Sequence, residues 1–229
     1  GSGMVDAIRS VGGRFSRLAR TAAAIWRRTL ISSAVSVNNA FSYELVPIIL
    51  IALYSPEVAG LYFMSRRLLA KPVSLISSSM SSSFWAYAAA QVRSEPARLK
   101  RRYLSLTGKL ALLSIPFAVA VYLASFLMPV ILGDQWTETA SVLPATLPLA
   151  IGSLVFSGLG HLIVLKKHHY QLVADSTRLG LMLASTWLAW YLGASGTTAI
   201  LMMSCSSLAG HLIFFLAHLH AYHRLGIQR

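Results

Sequence analysis

The chain has 229 residues, 55% of them hydrophobic and only 12% charged, with a mean hydropathy of +0.62. Soluble domains carry about 25% charged residues, so this composition excludes a disordered chain, argues against a soluble enzyme and points to an all-α integral membrane protein. The formal charge is +13, which in a soluble protein would indicate nucleic acid; here the placement of the charges explains it instead.

The first 28 residues are basic. Ile8, Val11, Phe15, Leu18, Ala22 and Ile25 recur at helical spacing with arginines between them, the pattern of an interfacial helix on an anionic membrane surface or of a cytoplasmic linker. Gly1-Ser2-Gly3 ahead of Met4 reads as a cloning scar or as the interior of a longer chain. The Arg-rich, acid-poor composition also mimics a transit peptide.

A spanning helix needs about 20 mostly apolar residues. Six stretches qualify, at 29–54, 58–88, 103–132, 140–165, 170–192 and 197–221. Together they form one bundle over 29–221, followed by a short tail at 222–229. Ser55-Pro56-Glu57 is the first turn, 91–102 a polar basic loop, Gly133-Asp134-Gln135-Trp136 a corner, 166–169 a basic patch and 193–196 a small-residue turn.

Fifteen of the twenty Lys and Arg residues fall before the first span, after the second, after the fourth and after the sixth, at Arg9–Arg28, Arg93–Arg102, Lys166-Lys167 and Arg224–Arg229. The three remaining loops carry only Glu57, Asp134 and Glu138. Positive loops stay in the cytoplasm, so this alternation implies six spans with both termini cytoplasmic and needs no nucleic-acid partner.

Ionisable groups at membrane depth face a cavity or a partner. In the second span Arg67 and Lys71 share a face, continued by Ser74, Ser78 and Ser81, with Arg66 beside them. Guanidinium suits phosphate oxygens and hydroxyls suit sugars, so Arg66, Arg67, Lys71, Ser74 and Ser78 are the candidate substrate-binding residues for an anionic, polyhydroxylated ligand. The serines alone read first as close helix packing. Glu44 lies at a similar depth in the first span, as charge balance for Arg66 or Arg67 or as an ion-coupling carboxylate. Asn38 and Asn39 extend that polar path. Asp175 and Arg178 are three apart and read as a structural ion pair. His161 and His211 are expected to be interhelical hydrogen-bond partners. His218, His220 and His223 do not share a helical face, so they form no metal site. Pro72, Pro116, Pro144 and Pro148 sit inside spans, and Pro72 would kink the second one beside its cations.

No phosphate-binding Gly-rich loop, HExxH or GxSxG occurs, and the single Cys205 excludes an intrachain disulfide. No cofactor, metal or catalytic residue is therefore expected.

Pro56-Glu57-Val58-Ala59-Gly60-Leu61-Tyr62, with Arg67, Leu68 and Pro72 after it, resembles the hairpin of bacterial polysaccharide flippases of the multidrug/oligosaccharidyl-lipid/polysaccharide superfamily. The Gly133–Trp136 corner and the proline-containing span after it fit the same pattern, so the resemblance runs from about Ser33 to Leu181. It implies one half of a two-bundle transporter, the C-terminal bundle, which moves a polyprenyl-diphosphate-linked oligosaccharide across the inner membrane in polysaccharide or lipopolysaccharide biosynthesis. Arg67 matches the arginine of the family hairpin. The implied partners are the lipid-linked anionic glycan, membrane lipids, and either an N-terminal bundle or a second copy of the chain. Competing readings are a multidrug exporter of the same superfamily, an enzyme acting on polyprenyl-linked sugars with Asp134 and Glu138 as its outer carboxyls, and an assembly subunit.

Overall fold

The computed structural model describes residues 44–91, 96–157 and 168–227, with Trp26, Leu30, Ser33, Val37 and Phe41 as isolated helical positions. Most of segment 1–28, Asn38, Asn39, His161, Lys166-Lys167 and the side chains of His218, His220 and His223 lie outside the described residues. Every regular element among the described residues is helical.

The described part of helix α1 covers Glu44–Leu53, and α2 covers Pro56–Gln91. The turn between them follows from three residues. Ser55 caps α2, its Oγ accepting from the Val58 N–H at 3.4 Å. Pro56 occupies the first helical position, where its missing N–H costs nothing. Glu57 places a carboxylate at the positive end of the helix dipole. α2 continues through Pro72.

Helix α3 covers Pro96–Leu132. The basic stretch 91–102, expected as a loop, is mostly helical: α2 ends at Gln91 and α3 begins at Pro96. Pro96 is again a favourable first residue, and the Arg and Lys residues after it are good helix formers. Their stems carry the helix beyond the apolar run, and Arg102 lies over the Tyr87 ring at 5.8 Å. α3 ends at Gly133, whose φ of 96° only glycine adopts without strain.

The fourth expected span is a broken helix. A 3₁₀ turn, Asp134–Trp136, leads into α4, Thr137–Val142. A second 3₁₀ turn, Leu143–Thr146, leads into α5, Leu147–Gly152, and a π turn follows at Ser153–Ser157. Pro144 and Pro148 each stand at the start of a segment. Each lacks a backbone N–H, so the helical hydrogen-bond ladder changes pitch there. Helices α6, His168–Tyr191, and α7, Gly196–Ile227, complete the chain. Gly193, at φ 69°, turns between them, with the Ala194 N–H bonded back to the Ala189 carbonyl at 2.9 Å.

Among the described residues, three segments are long and apolar enough to cross a membrane: Lys100–Leu132, Asp134–Phe156 and Gly196–Ala217. The broken helix is the most buried of them and α3 the least. The broken helix packs against α2, α3 and α7, while α6 lies along α7. α3 presents Leu112, Ile115, Val119, Phe126, Val130 and Ile131 outward.

Among the described residues, two apolar clusters hold the helices. One joins Val46, Leu50, Tyr62, Val142, Met182, Ile200 and Met203 across α1, α2, α4, α6 and α7. The other joins Leu69, Val73, Tyr103, Leu110, Leu143 and Leu154 across α2, α3 and the broken helix. In the latter, the Phe215 ring of α7 stacks on Tyr103 at 5.8 Å and meets Phe156 at 5.3 Å. Glycines allow the closest approaches. A Cβ at Gly196 would fall 2.6 Å from a Val58 methyl, and one at Gly210 would fall 2.6 Å from Arg178 Cγ.

Candidate functional site

A cavity of about 280 Å³ lies between the two apolar clusters. Helix α2 supplies one wall with Arg66, Leu69, Ala70, Val73, Ser74 and Ser77. These recur at intervals of three and four and therefore form one stripe. The broken helix supplies Thr146, Leu149, Ala150 and Ser153, the last from the π turn. A π turn inserts one residue into the helical ladder and shifts the faces that follow it. α6 contributes Arg178 and α7 contributes His211.

The stripe expected on α2 divides between two faces. Arg66, half-buried, and Ser74, itself exposed, line the cavity. Arg67, Lys71 and Ser78 are exposed. One residue is about 100° of helical rotation, so Arg66 and Arg67 point in different directions although they are adjacent in sequence. The serine hydroxyls bond mainly to their own helix: Ser74 to the Lys71 carbonyl at 2.9 Å, Ser78 to Leu75 at 3.1 Å and Ser82 to Ser78 at 2.8 Å. Such back-bonding satisfies a hydroxyl without a neighbour or a ligand. Ser77 differs, since its buried Oγ has no hydrogen-bond partner and it faces the cavity. Glu44 is exposed in α1.

Arg178, only 6% exposed, stands one turn from Asp175, near enough for the two charges to act on each other. It also adjoins Gly210 and His211 of α7. The sequence reading as an ion pair with Asp175 contains nothing of this cavity position, because His211 lies more than thirty residues downstream. The His211 expectation is corrected. Its Nδ1 bonds the Ser207 carbonyl at 2.8 Å within α7, rather than reaching another helix. A carbonyl only accepts, so Nδ1 donates, and in the neutral ring Nε2 remains an acceptor. Gly152 of α5 makes room for this ring, since a Cβ there would fall 3.0 Å from His211 Nδ1. The sequence signal for the arrangement is slight: a glycine beside a mid-span histidine, and a lone arginine in another span.

The cavity wall thus holds two guanidinium groups, an imidazole and four hydroxyl residues, with no carboxylate among the described lining residues. That chemistry binds oxyanions and hydroxyls.

A family model described as a polysaccharide biosynthesis protein matches residues 27–141, half of the chain. The match takes in α1, α2, α3 and the corner after Gly133. Neither the curated proteins nor the solved structures give a match.

Proposed function

The chain belongs to the polysaccharide biosynthesis protein family, and from that membership we propose that it is a six-helix membrane bundle of a transporter for lipid-linked glycans. The bundle works with a second one, another copy or a companion bundle, and moves a polyprenyl-diphosphate-linked oligosaccharide between leaflets of the bacterial inner membrane. It performs no bond chemistry of its own. The two bundles rock about a shared polar path, with both ends of this bundle on the cytoplasmic side.

The observation that carries this reading is the exposed cationic face of α2. Arg67 and Lys71 stand on the outside of the bundle, beside the outward apolar residues Leu68 and Leu75. A charge facing hydrocarbon is expensive, so that face suits a polar lumen shared with another bundle. An anionic diphosphate and acidic sugars match its sign. The outward apolar face of α3 supports lipid contact. Stacked Trp187 and Tyr191, ring centroids 5.8 Å apart at the end of α6, suit the headgroup level on the outer side. Glu44 is proposed as the counter-charge on the same side of the bundle.

Reconstitution in liposomes with a labelled lipid-linked oligosaccharide tests this. Transport changes the leaflet in which the glycan is accessible and leaves its length unchanged; an enzyme would lengthen or transfer it. Arg67→Gln with Lys71→Gln should lower the rate at least tenfold. Wild-type rates in that variant would make the cationic face structural.

A further inference from the structure

We propose that the outward stripe of α3 is a binding site for an anionic phospholipid of the cytoplasmic leaflet. The headgroup phosphate sits among Arg101, Ser105 and Lys109, and one acyl chain lies over Gly108 and Leu112. The site rests on the membrane-spanning part of the reading above and not on transport. It shares no residue with the cationic face of α2 or with the cavity.

Helical register is the first argument. At about 100° per residue, Arg101, Ser105, Gly108, Lys109 and Leu112 fall within one sector about 100° wide, and all five are exposed. Val119 and Leu123 continue that sector and are exposed as well. The opposite side of the helix is turned inward, with Tyr103, Leu106 and Leu110 buried. The stripe is therefore a single outward surface, basic and hydroxylic at its start and apolar beyond.

Depth is the second. Arg101 and Lys109 stand about 12 Å apart along the axis. From Lys109 to Val130 the helix rises about 32 Å, close to the ~30 Å thickness of a hydrocarbon core. Lys109 thus stands at the membrane boundary, where its stem reaches back to the headgroups, and Arg101 stands at headgroup level. Positive charge marks this end as the cytoplasmic one. The surface changes character at the depth where a phospholipid changes from headgroup to chain.

Shape and sign are the third. α3 carries no Asp or Glu along its length, so the helix presents one sign of charge to the headgroups. The Ser105 hydroxyl can donate to a phosphate oxygen. A Cβ at Gly108 would meet nothing within 4 Å, so glycine leaves a notch there in which a chain lies against the backbone. Arg102 makes the contrast. One residue on from Arg101, its guanidinium lies over the Tyr87 ring of α2 at 5.8 Å, directed along the bundle rather than out of the stripe.

The test uses the purified full chain in vesicles and in mixed micelles of phosphatidylglycerol and phosphatidylcholine. Native mass spectrometry counts the retained lipid, and titration with a fluorescent phosphatidylglycerol reads affinity. Each basic side chain near an anionic headgroup is worth about fivefold, so the two should favour phosphatidylglycerol about 25-fold. Arg101→Gln with Lys109→Gln should reduce that preference at least about tenfold. Gly108→Leu fills the notch without changing charge and should weaken binding about threefold or more. Arg102→Gln removes an equal charge from the same turn and should leave the preference within about twofold of wild type. All four positions are exposed, so these variants should fold. The site is overturned if the two lipids bind equally. It is overturned too if Arg102→Gln weakens binding as much as Arg101→Gln, since the attraction is then diffuse. Competition by free glycerol phosphate would also overturn it, by assigning the phosphate to a soluble anion. Carbonate extraction of the vesicles checks the membrane reading separately. A chain that stays inserted without lipid preference overturns the site alone, and a chain that is released overturns both. Selective lipid binding without glycan transport would sink the transport reading and leave the site standing.

Discussion

Gly210→Ala should separate α6 from α7. A methyl at position 210 would lie 2.6 Å from Arg178 Cγ, 2.7 Å from its Cβ and 2.9 Å from its Cα. Favourable carbon contacts lie at about 3.5–4.0 Å, so the helices must part locally by about 1 Å. No rotamer change relieves this, because Cα and Cβ of Arg178 are fixed to the backbone of α6. Overpacking of this kind costs about 1–3 kcal/mol. Alanine returns about 0.5–1 kcal/mol over glycine inside a helix. The net loss should be about 1–2 kcal/mol. Gly60→Ala is the matched control, since nothing lies within 4 Å of a Cβ there; it should gain about 0.5–1 kcal/mol. Because the helix-propensity gain is common to both, the two variants should differ by the overpacking cost, about 1–3 kcal/mol, when unfolded by SDS titration in mixed micelles. If Gly210→Ala proves as stable as Gly60→Ala, the close α6–α7 crossing is wrong, and with it the position of Arg178 in the cavity.

Gly133→Ala should cost about 1–2 kcal/mol through its positive φ alone, because the nearest atom to a new Cβ is the mobile Gln135 Oε1 at 3.1 Å; the same unfolding assay reads it. Phe215→Ala removes a ring shared by Tyr103 and Phe156. Phe215 is only half-buried, so the loss should fall near the lower end of the ~3–5 kcal/mol range for buried aromatics. Glu57 lies below the ordinary carboxylate range, chiefly through the Ser55 hydroxyl and next through backbone hydrogen bonding. Its stabilisation is therefore present above the unfolded carboxylate value of about 4.3 and is lost as pH falls through the lower folded value. The Tm gap between wild type and Glu57→Gln should accordingly close on acidification below about pH 4. Arg67→Gln and Lys71→Gln, both at exposed positions, should change stability by no more than about 0.5 kcal/mol each, so a loss of transport in them would reflect function rather than unfolding.

Local chemistry made much of this protein legible. Ser55-Pro56-Glu57, Gly133 and Gly193 mark helix ends through capping, fixed φ or positive φ, and each acts within a few residues. Apolar runs identify the helical segments for the same reason. Pro144 and Pro148 were legible as residues inside the fourth segment, but its division into 3₁₀, α and π turns appears only in the fold, where that segment packs against α2, α3 and α7. The same limit applies to the basic stretch after Gln91: composition marks it as polar, while the helix forms across most of it.

The candidate site shows where sequence periodicity stops. Spacing on α2 groups residues into faces, and it places Arg67 with Lys71, but it does not say which face turns inward. The fold turns Arg66 in and leaves Arg67 and Lys71 out. Arg178 has only Asp175 as a sequence neighbour, so it reads as half of an ion pair. It meets His211 because α6 and α7 pack along their length, with Gly210 and Gly152 leaving room for the approach. Turns, helices and the sign of the buried charge are properties of short segments, and the sequence by itself determined them. The meeting of Arg66, Arg178 and His211 in one cavity depends on contacts between distant segments, and only the tertiary structure decided it.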